Sequence, residues 1–534
     1  MPTPSLARIG SLVMWLAAAC GSRLQAAPPE PSARPAQAQS ATGPDLDAQV
    51  RTINSLRERG EYAKAIEAAK SLLAATEKSV SPDDPKRLVA KRALATAYLE
   101  TGDRDKAGPL LRDVLAALER VEPRDNAAIA SVIGDLAQTV RDDVEAESLA
   151  RRALELAEEA FGPEHAETGL ALNNLGAYLR GRGRLEEAER LMRKALRVRE
   201  RTVGTDSPLT AQSLCTLGAI AADRGDLTLG ESLVRSSLDR RRAVLPRGHS
   251  DVAESCLELA HILLVSRDRA DEATQFASEA VGINRSVFGP AHRQTLLALH
   301  TKADALAAQG RRAESERLHE ELIATLESLP ASESDGLADA LGEYGRHMVD
   351  AGKPERGVEL CRRAIAIREK AHGPDDAGSL PVRQVLADAL YASVRTEDAV
   401  REGRAIVAAL ERAGDDRAAE ADVARYALAR YLLAVGETEE ARSLLRRSIK
   451  AFEKSYGPGG RQTLQAIYYL ALTYFLLDDT AEAEQLVNDA IKRFAAAADI
   501  RSAEVARDLV ALRAKIYRST GRIREAEADE AALK

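Results

Sequence analysis

Aromatic side chains are scarce in this sequence: Phe, Tyr and Trp make up only 4% of its residues, and Trp15 is the single tryptophan. A chain that fills its interior with Ala and Leu rather than rings, and that holds few β-branched stretches, favours closely packed helices over sheets. Cysteine is sparse too. Four cysteines, none in a Cys-x-x-Cys pair, exclude a disulfide framework or a zinc module in a chain of this size. Charge of one sign is not in excess: 75 Lys and Arg face 83 Asp and Glu, a net charge of -8. That balance argues against a broad nucleic-acid footprint and leaves only local basic patches. The motifs HExxH, GxSxG, GxxxxGK[ST] and GxGxxG in a strand–helix context are missing, which removes the enzyme classes that rest on them. What is present is 45% hydrophobic and 30% charged residues, enough to build a core and to solvate it, so generic disorder is excluded.

The first fifty residues differ from the rest. Arg8 precedes an apolar run, Ile9 to Cys20, about as long as the apolar region of a signal peptide and too short to span a bilayer comfortably. Ala17-Ala18-Ala19 offers a small-residue cleavage site just before Cys20. Cys20-Gly21 resembles the acylated cysteine of bacterial lipoproteins, although Ala17 stands where that pattern wants Leu. The expectation is a leader over 1–25, with Cys20 as the residue a lipid would modify, and an exported, periplasmic or outer-membrane-associated product. An unprocessed leader would instead leave the protein in the cytoplasm. Residues 26–44, rich in Ala, Pro, Ser and Gln, read as a flexible tether.

From residue 45 onward an internal repeat governs the chain. Five loops carry related glycines, Gly162, Gly204, Gly289, Gly373 and Gly457, spaced 42, 85, 84 and 84 apart. Missing members fall at Leu245-Pro246 and near Leu329-Pro330-Ala331. A second series, Gly60, Gly102, Gly183, Gly225, Gly310, Gly352, Gly436 and Gly521, is spaced 42, 81, 42, 85, 42, 84 and 85. Two glycine series in one register mark a repeat of 42 residues.

Within each repeat the pattern is helical. Leu172, Leu175, Gly176 and Leu179 form the stripe of a helix buried on one face, Gly183 supplies a turn, and residues 185–196 form a second amphipathic helix with Ala188 and Ala195 on one side. Each unit is a helical hairpin that must stack on its neighbours to complete a core. Leu172, Leu175, Gly176, Leu179, Gly183, Ala188, Met192 and Ala195 resemble the tetratricopeptide-repeat pattern. The 42-residue period with a Phe-Gly-Pro-x-His-like loop is similar to the long repeats of kinesin light chains and their bacterial relatives. The resemblance implies an all-α, right-handed superhelical solenoid over 45–534, with eleven full hairpins and a clipped twelfth. Departures include Gly357 and Ser315 at the Ala188 position, and hairpins near Asp142-Asp143, Val394 and Asp478-Asp479 that lack the turn glycine.

Chemistry is not expected of this array: no catalytic residue, no metal site and no cofactor. His165, His249, His292 and His372 recur in the loops, which points to capping or packing of the preceding helix rather than metal ligation. Cys215 and Cys256, 41 apart, fall on the first helices of adjacent repeats and read as packed small side chains, the alternative being a disulfide between neighbouring helices in an exported protein. The Arg240-Arg241-Arg242 run fits cations placed near a helix C-terminus.

The resemblance implies binding. First helices line a concave groove that takes peptides or subunits of partner proteins. Carried over position by position, the groove residues are Arg92, Asn173, Asn174, His300 and Tyr426, with Arg180, Arg346 and Arg430 adding positive character against an acidic peptide. Asn173-Asn174 are the leading candidates, because an inward amide pairs both its donor and its acceptor with a ligand backbone. The function expected is a non-catalytic scaffold, exported or envelope-tethered. The alternative is a cytoplasmic regulatory or sensor module for a separately encoded kinase, protease or transcription factor. Neither nucleic acid nor a small-molecule substrate is expected, and membrane contact only through the lipid anchor.

Overall fold

The computed structural model describes residues 46–140, 143–265, 269–329, 334–374, 376–412, 417–497 and 503–533. The leader, Cys20 and the tether lie outside these residues, as does Asp142. Every regular element among the described residues is a helix, and none is long and apolar enough to cross a membrane.

Two compact units divide the chain near residue 330. The first holds seven hairpins: α1 (Leu46–Glu58) with α2 (Tyr62–Ser79), α3 (Pro85–Glu100) with α4 (Arg104–Arg120), α5 (Asn126–Ala137) with α6 (Asp143–Phe161), α7 (Ala166–Gly181) with α8 (Leu185–Thr202), α9 (Pro208–Asp223) with α10 (Leu227–Val244), α11 (Ser250–Val265) with α12 (Ala270–Phe288), and α13 (Arg293–Ala308) with α14 (Arg312–Glu327). The second holds five: α15 (Ser334–Asp350) with α16 (Pro354–His372), α17 (Leu380–Ala392) with α18 (Thr396–Arg412), α19 (Ala418–Ala434) with α20 (Thr438–Tyr456), α21 (Arg461–Leu476) with α22 (Thr480–Ala497), and α23 (Ala503–Ser519) with the short α24 (Ile523–Ala532). In each hairpin the odd-numbered helix, called A, packs on its B partner, and successive A helices also touch, for example α9 on α11 and α15 on α17.

The glycine series do what their register predicts. Both take φ between 72° and 94°, the first closing the loops between hairpins and the second the A–B turns. Where the turn glycine is absent, the backbone still goes left-handed: Val394 has φ 59° and Asp478 φ 64°. Tertiary packing of the flanking helices therefore imposes this turn even on a β-branched residue, at a local cost of about 1–2 kcal/mol. Gly357, at the position usually held by Ala, marks a tight crossing, since a Cβ there would lie 2.9 Å from the Gly345 carbonyl oxygen of α15. The loop glycines are braced as well. Thr168, Thr210, Thr295 and Thr463, in the first turn of their A helices, donate to the carbonyls of Gly162, Gly204, Gly289 and Gly457 at 2.6–2.8 Å.

Loop histidines act on both sides of the joint. His165, His249 and His292 each accept, through Nδ1, the backbone N–H two residues on, at 3.1–3.2 Å. His165 and His292 also stack on Phe161 and Phe288, which end the preceding B helices, with centroids 4.7 and 4.3 Å apart. They thus pack on the helix before them and cap the one that follows, which corrects the expectation that capping is of the preceding helix. His372 does neither; its Nε2 lies 2.7 Å from Asp335 Oδ1.

The first unit curls back on itself. Tyr62, at the start of α2, stacks on Phe288 at 5.5 Å and its hydroxyl lies 2.9 Å from Ser250 Oγ, 188 residues away. Nearby, His292 Nε2 is 2.6 Å from the Thr101 carbonyl oxygen. The A–B turns of the first two hairpins thereby meet the loops that precede the sixth and seventh.

Candidate functional site

Successive A helices of the first unit are tied by charged ladders. Arg57 on α1 forks onto Glu100 on α3 at 2.8 and 2.7 Å. Arg92 on α3 bonds Ser131 on α5 and stands 3.6 Å from Asp135. Arg180 on α7 spans two neighbours, donating to Asp223 of α9 at 2.8 Å and to both oxygens of Glu258 on α11 at 2.8 and 3.3 Å. Burial opposes its charge, but Asp223 and Glu258 outweigh that and hold the guanidinium well above its ordinary range. Arg92 thus ties α3 to α5 through Nη2, Arg180 spends its donors on the scaffold, and the reading of Arg180 as a cation open to an acidic peptide is corrected.

Asn173 is corrected on the same ground. Its side chain is 0% exposed, and Oδ1 accepts from Arg199 Nη1 at 3.0 Å and Ser213 Oγ at 3.1 Å. The position after the first Leu of this A helix faces α8 and α9, not open space. Cys215, 42 residues on, repeats the placement: it is 2% exposed, with Ser255 Oγ 3.9 Å from its sulfur. Asn174 is half-buried, its Nδ2 close to Gly134 of α5. The Arg240-Arg241-Arg242 run is likewise more than a solvated helix end. Arg241 is fully buried and bonds the Asp251 carbonyl oxygen, Ser255 Oγ and Glu254, while Arg240 donates to the Thr205 carbonyl and Arg242 to Glu279.

In the second unit Arg346 pairs with Glu343 one turn away on α15. Tyr426 and Arg430 behave differently. Arg430, on α19, lies 5.6 Å from the ring centroid of Tyr391, 5.9 Å from Tyr426 and 5.7 Å from Tyr469, so three A helices, α17, α19 and α21, supply rings around one guanidinium. Tyr426 and Tyr469 meet edge to face at 5.9 Å, and Tyr468 extends the patch at 5.2 Å from Tyr469. Asp388 Oδ1 is 3.9 Å from Arg430, beyond hydrogen-bonding distance, and accepts instead from the Tyr431 hydroxyl at 2.8 Å. Burial works against the charge of Arg430, but Tyr426, Tyr469 and Asp388 outweigh it and raise its pKa. The rings of Tyr391, Tyr426, Tyr468 and Tyr469 are each partly open to solvent. Tyr391, Tyr468 and Tyr469 were not picked out from the sequence, although the 43-residue step from Tyr426 to Tyr469 is the signal that finds them.

His300 is buried rather than groove-lining. It stands with Asp304 and His319, and one ligand-type atom of each lies within 4.8 Å of the others. Its neighbours were not singled out from the sequence: His300 and Asp304 are i and i+4 on α13, and His319 faces them from α14. The three described cysteines, Cys215, Cys256 and Cys361, are free and buried, so the Cys215–Cys256 pairing is not formed. Burial raises each thiol, Cys256 and Cys361 to about 12.

Comparison with known proteins bears on the same elements. Two family models described as tetratricopeptide repeat match the chain, one over residues 47–120, 125–201, 170–243 and 417–496, the other over 295–329 and 348–377. No curated protein matches it. Among solved structures it is similar to BtubC (BKLC) from P. vanneervenii, at 20% identity over 46% of this chain and 94% of that one, with a TM-score of 0.32. It is also similar to a putative kinesin light chain with nearly identical TPR-like repeats from Podospora anserina, at 17% identity over 45% of this chain and 95% of that one, TM-score 0.23. A third is the apo form of the quorum sensor NprR from B. thuringiensis, at 14% identity over 76% of this chain and 97% of that one, TM-score 0.44.

Proposed function

We propose that this chain, which belongs to the tetratricopeptide-repeat family, is a non-catalytic scaffold that holds segments of partner proteins against its A helices. The observation that carries this reading is the patch around Arg430. Rings from three successive A helices surround a cation that no carboxylate bonds at hydrogen-bonding distance among the described contacts, whereas Arg180 and Arg346 are spent on carboxylates of their own unit. Tyrosine faces give contact area at low entropic cost, and a part-buried guanidinium suits a carboxylate of the incoming segment. In this reading Tyr426 and Arg430 contact the incoming segment together with Tyr391 and Tyr469.

The test is site-specific photo-crosslinking in native extract. A benzophenone side chain at position 469 should capture a discrete partner, and Arg430→Ala in the same protein should abolish that capture. A probe at Arg404, on a B helix and engaged with Glu437 and Glu440, should not capture it. Equal capture from 404 and 469, or capture indifferent to Arg430→Ala in a folded protein, would sink this reading.

Export is part of the proposal and is supported by Arg8, the apolar run that ends at Cys20 and the small residues before it. Mass spectrometry of the N-terminal peptide should find a mature chain beginning at or just after Cys20. An intact Met1 in membrane-free cytosol would favour the cytoplasmic alternative.

A further inference from the structure

The seventh hairpin holds a set of donors that the scaffold reading does not use. His300 and Asp304 lie one turn apart on α13, so their side chains leave the same face of the helix. His319 meets them from α14. One ring nitrogen of each histidine and one carboxylate oxygen lie within 4.8 Å of one another. His300 Nε2 stands 3.5 Å from Asp304 Oδ2, and the two imidazoles meet edge to face with centroids 5.8 Å apart.

Those spacings suit an ion. Bonds of 2.0–2.2 Å to a tetrahedral Zn2+ place neighbouring ligand atoms about 3.3 Å apart, so the 3.5 Å edge is already near its bound length. The other edges, within 4.8 Å, have to shorten by at most about 1.5 Å when an ion binds. His300 and His319 are 7% and 1% exposed, a dry shell, while the Asp304 side chain is 28% exposed and opens the cluster to solvent on one side. That opening supplies an entry path and room for a water as fourth ligand. Two imidazoles and one carboxylate match a borderline transition metal. Mg2+ or Ca2+ would require several more oxygen ligands.

We propose that His300, Asp304 and His319 form a three-ligand site for a transition-metal ion of the Zn2+ class, which clamps α13 to α14. The site lies in the first unit and the Arg430 patch in the second, and it stands or falls independently of the scaffold reading.

The test uses the full chain, purified without a polyhistidine tag and stripped with chelator. Co2+ is the spectroscopic probe. Titration should develop visible d–d bands that saturate at one equivalent and disappear on addition of Zn2+. Zn2+ should also raise the Tm and slow hydrogen exchange in peptides from α13 and α14, while Mg2+ does neither. His319→Gln and Asp304→Asn should lose the bands and the Tm response. His372→Gln, which alters the exposed His372–Asp335 pair, should keep both. The proposal is overturned if the folded wild-type chain gives no d–d bands and no exchange protection in α13 and α14. Bands that persist in folded His319→Gln overturn it equally. If either variant fails to fold, the wild-type titration and the location of the exchange protection decide alone.

Discussion

Replacing Arg180 by alanine should destabilise the 46–329 unit by about 3–5 kcal/mol, the cost of removing one partner from a buried ion pair. The reason lies in what is left behind. Glu258 is 13% exposed and takes two hydrogen bonds from Arg180, whereas Asp223, at 38%, can turn to water. The variant strands the first carboxylate far more than the second. Its pH dependence should also reverse. In the wild type, burial pushes Glu258 up, but Arg180 outweighs it and holds the carboxyl below its ordinary value. A depressed carboxyl contributes stability that is present above the unfolded value of about 4.3 and is lost as pH falls through the folded value. Without Arg180 burial dominates and the folded pKa rises above the unfolded one. The contribution is then retained while the group is protonated and lost as pH climbs through that raised value. Arg180→Ala should therefore be less destabilised relative to wild type at pH 5 than at pH 8. Hydrogen exchange of peptides from α7, α9 and α11 in the full chain reads this locally. A penalty that does not change with pH would mean that Glu258 finds water or another cation. Arg180→Met with Glu258→Leu should recover most of the loss, since an apolar pair of similar volume carries no stranded charge.

The same residues show why the fold was legible in sequence and the site only in part. Hairpins follow from periodicity and from glycines with φ above zero, both local properties that one strand of text records. Val394 and Asp478 show the limit even there, because packing imposed a left-handed turn that their side chains disfavour. Which face of an A helix stays open is not local. Thirteen of the sixteen residues of α9 are buried, since α10 covers one side, α8 of the preceding hairpin another, and the neighbouring A helices close the rest. A polar residue after the first Leu therefore enters a joint between hairpins in the first unit, as Asn173 and Cys215 do. In the second unit the same register yields Tyr426, which packs on Phe452 and Tyr469 and stays only half-buried. His300 and His319 are 19 residues apart and acquire Asp304 as a common neighbour only once the hairpin closes.

The second large effect comes from a comparison that the repeat itself sets up. Arg199 and Arg241 are 42 residues apart, both fully buried, and each donates to a first-turn carbonyl and a serine of the following A helix: Leu209 and Ser213 for the one, Asp251 and Ser255 for the other. The next partner differs. Arg241 bonds the Glu254 carboxylate at 3.0 Å, while Arg199 has at the equivalent place the Gln212 amide oxygen at 3.1 Å. Arg241 is accordingly held above the usual arginine range, Glu254 and Asp251 overcoming burial, whereas burial and the like charge of Arg241 pull Arg199 down to about 9. Nη2 of Arg199 and Nε2 of Gln212 are buried without a hydrogen-bond partner among the described residues. A carboxylate at 212 meets both deficits. A hydrogen bond to a charged group contributes roughly 1.5–3 kcal/mol, and after the cost of desolvating the new carboxylate Gln212→Glu should still stabilise the unit by about 1 kcal/mol. Glu254→Gln should do the opposite, by roughly 1.5–3 kcal/mol. Arg199 would hold the new carboxyl below its unfolded value of about 4.3, so the gain should be complete at neutral pH and vanish as pH falls through the folded value. Urea midpoints at pH 7 and pH 4 measure both variants. A Gln212→Glu midpoint below wild type at pH 7 would show that the Arg199 joint, closed by four neutral acceptors, has no room for the carboxylate its neighbour 42 residues away depends on.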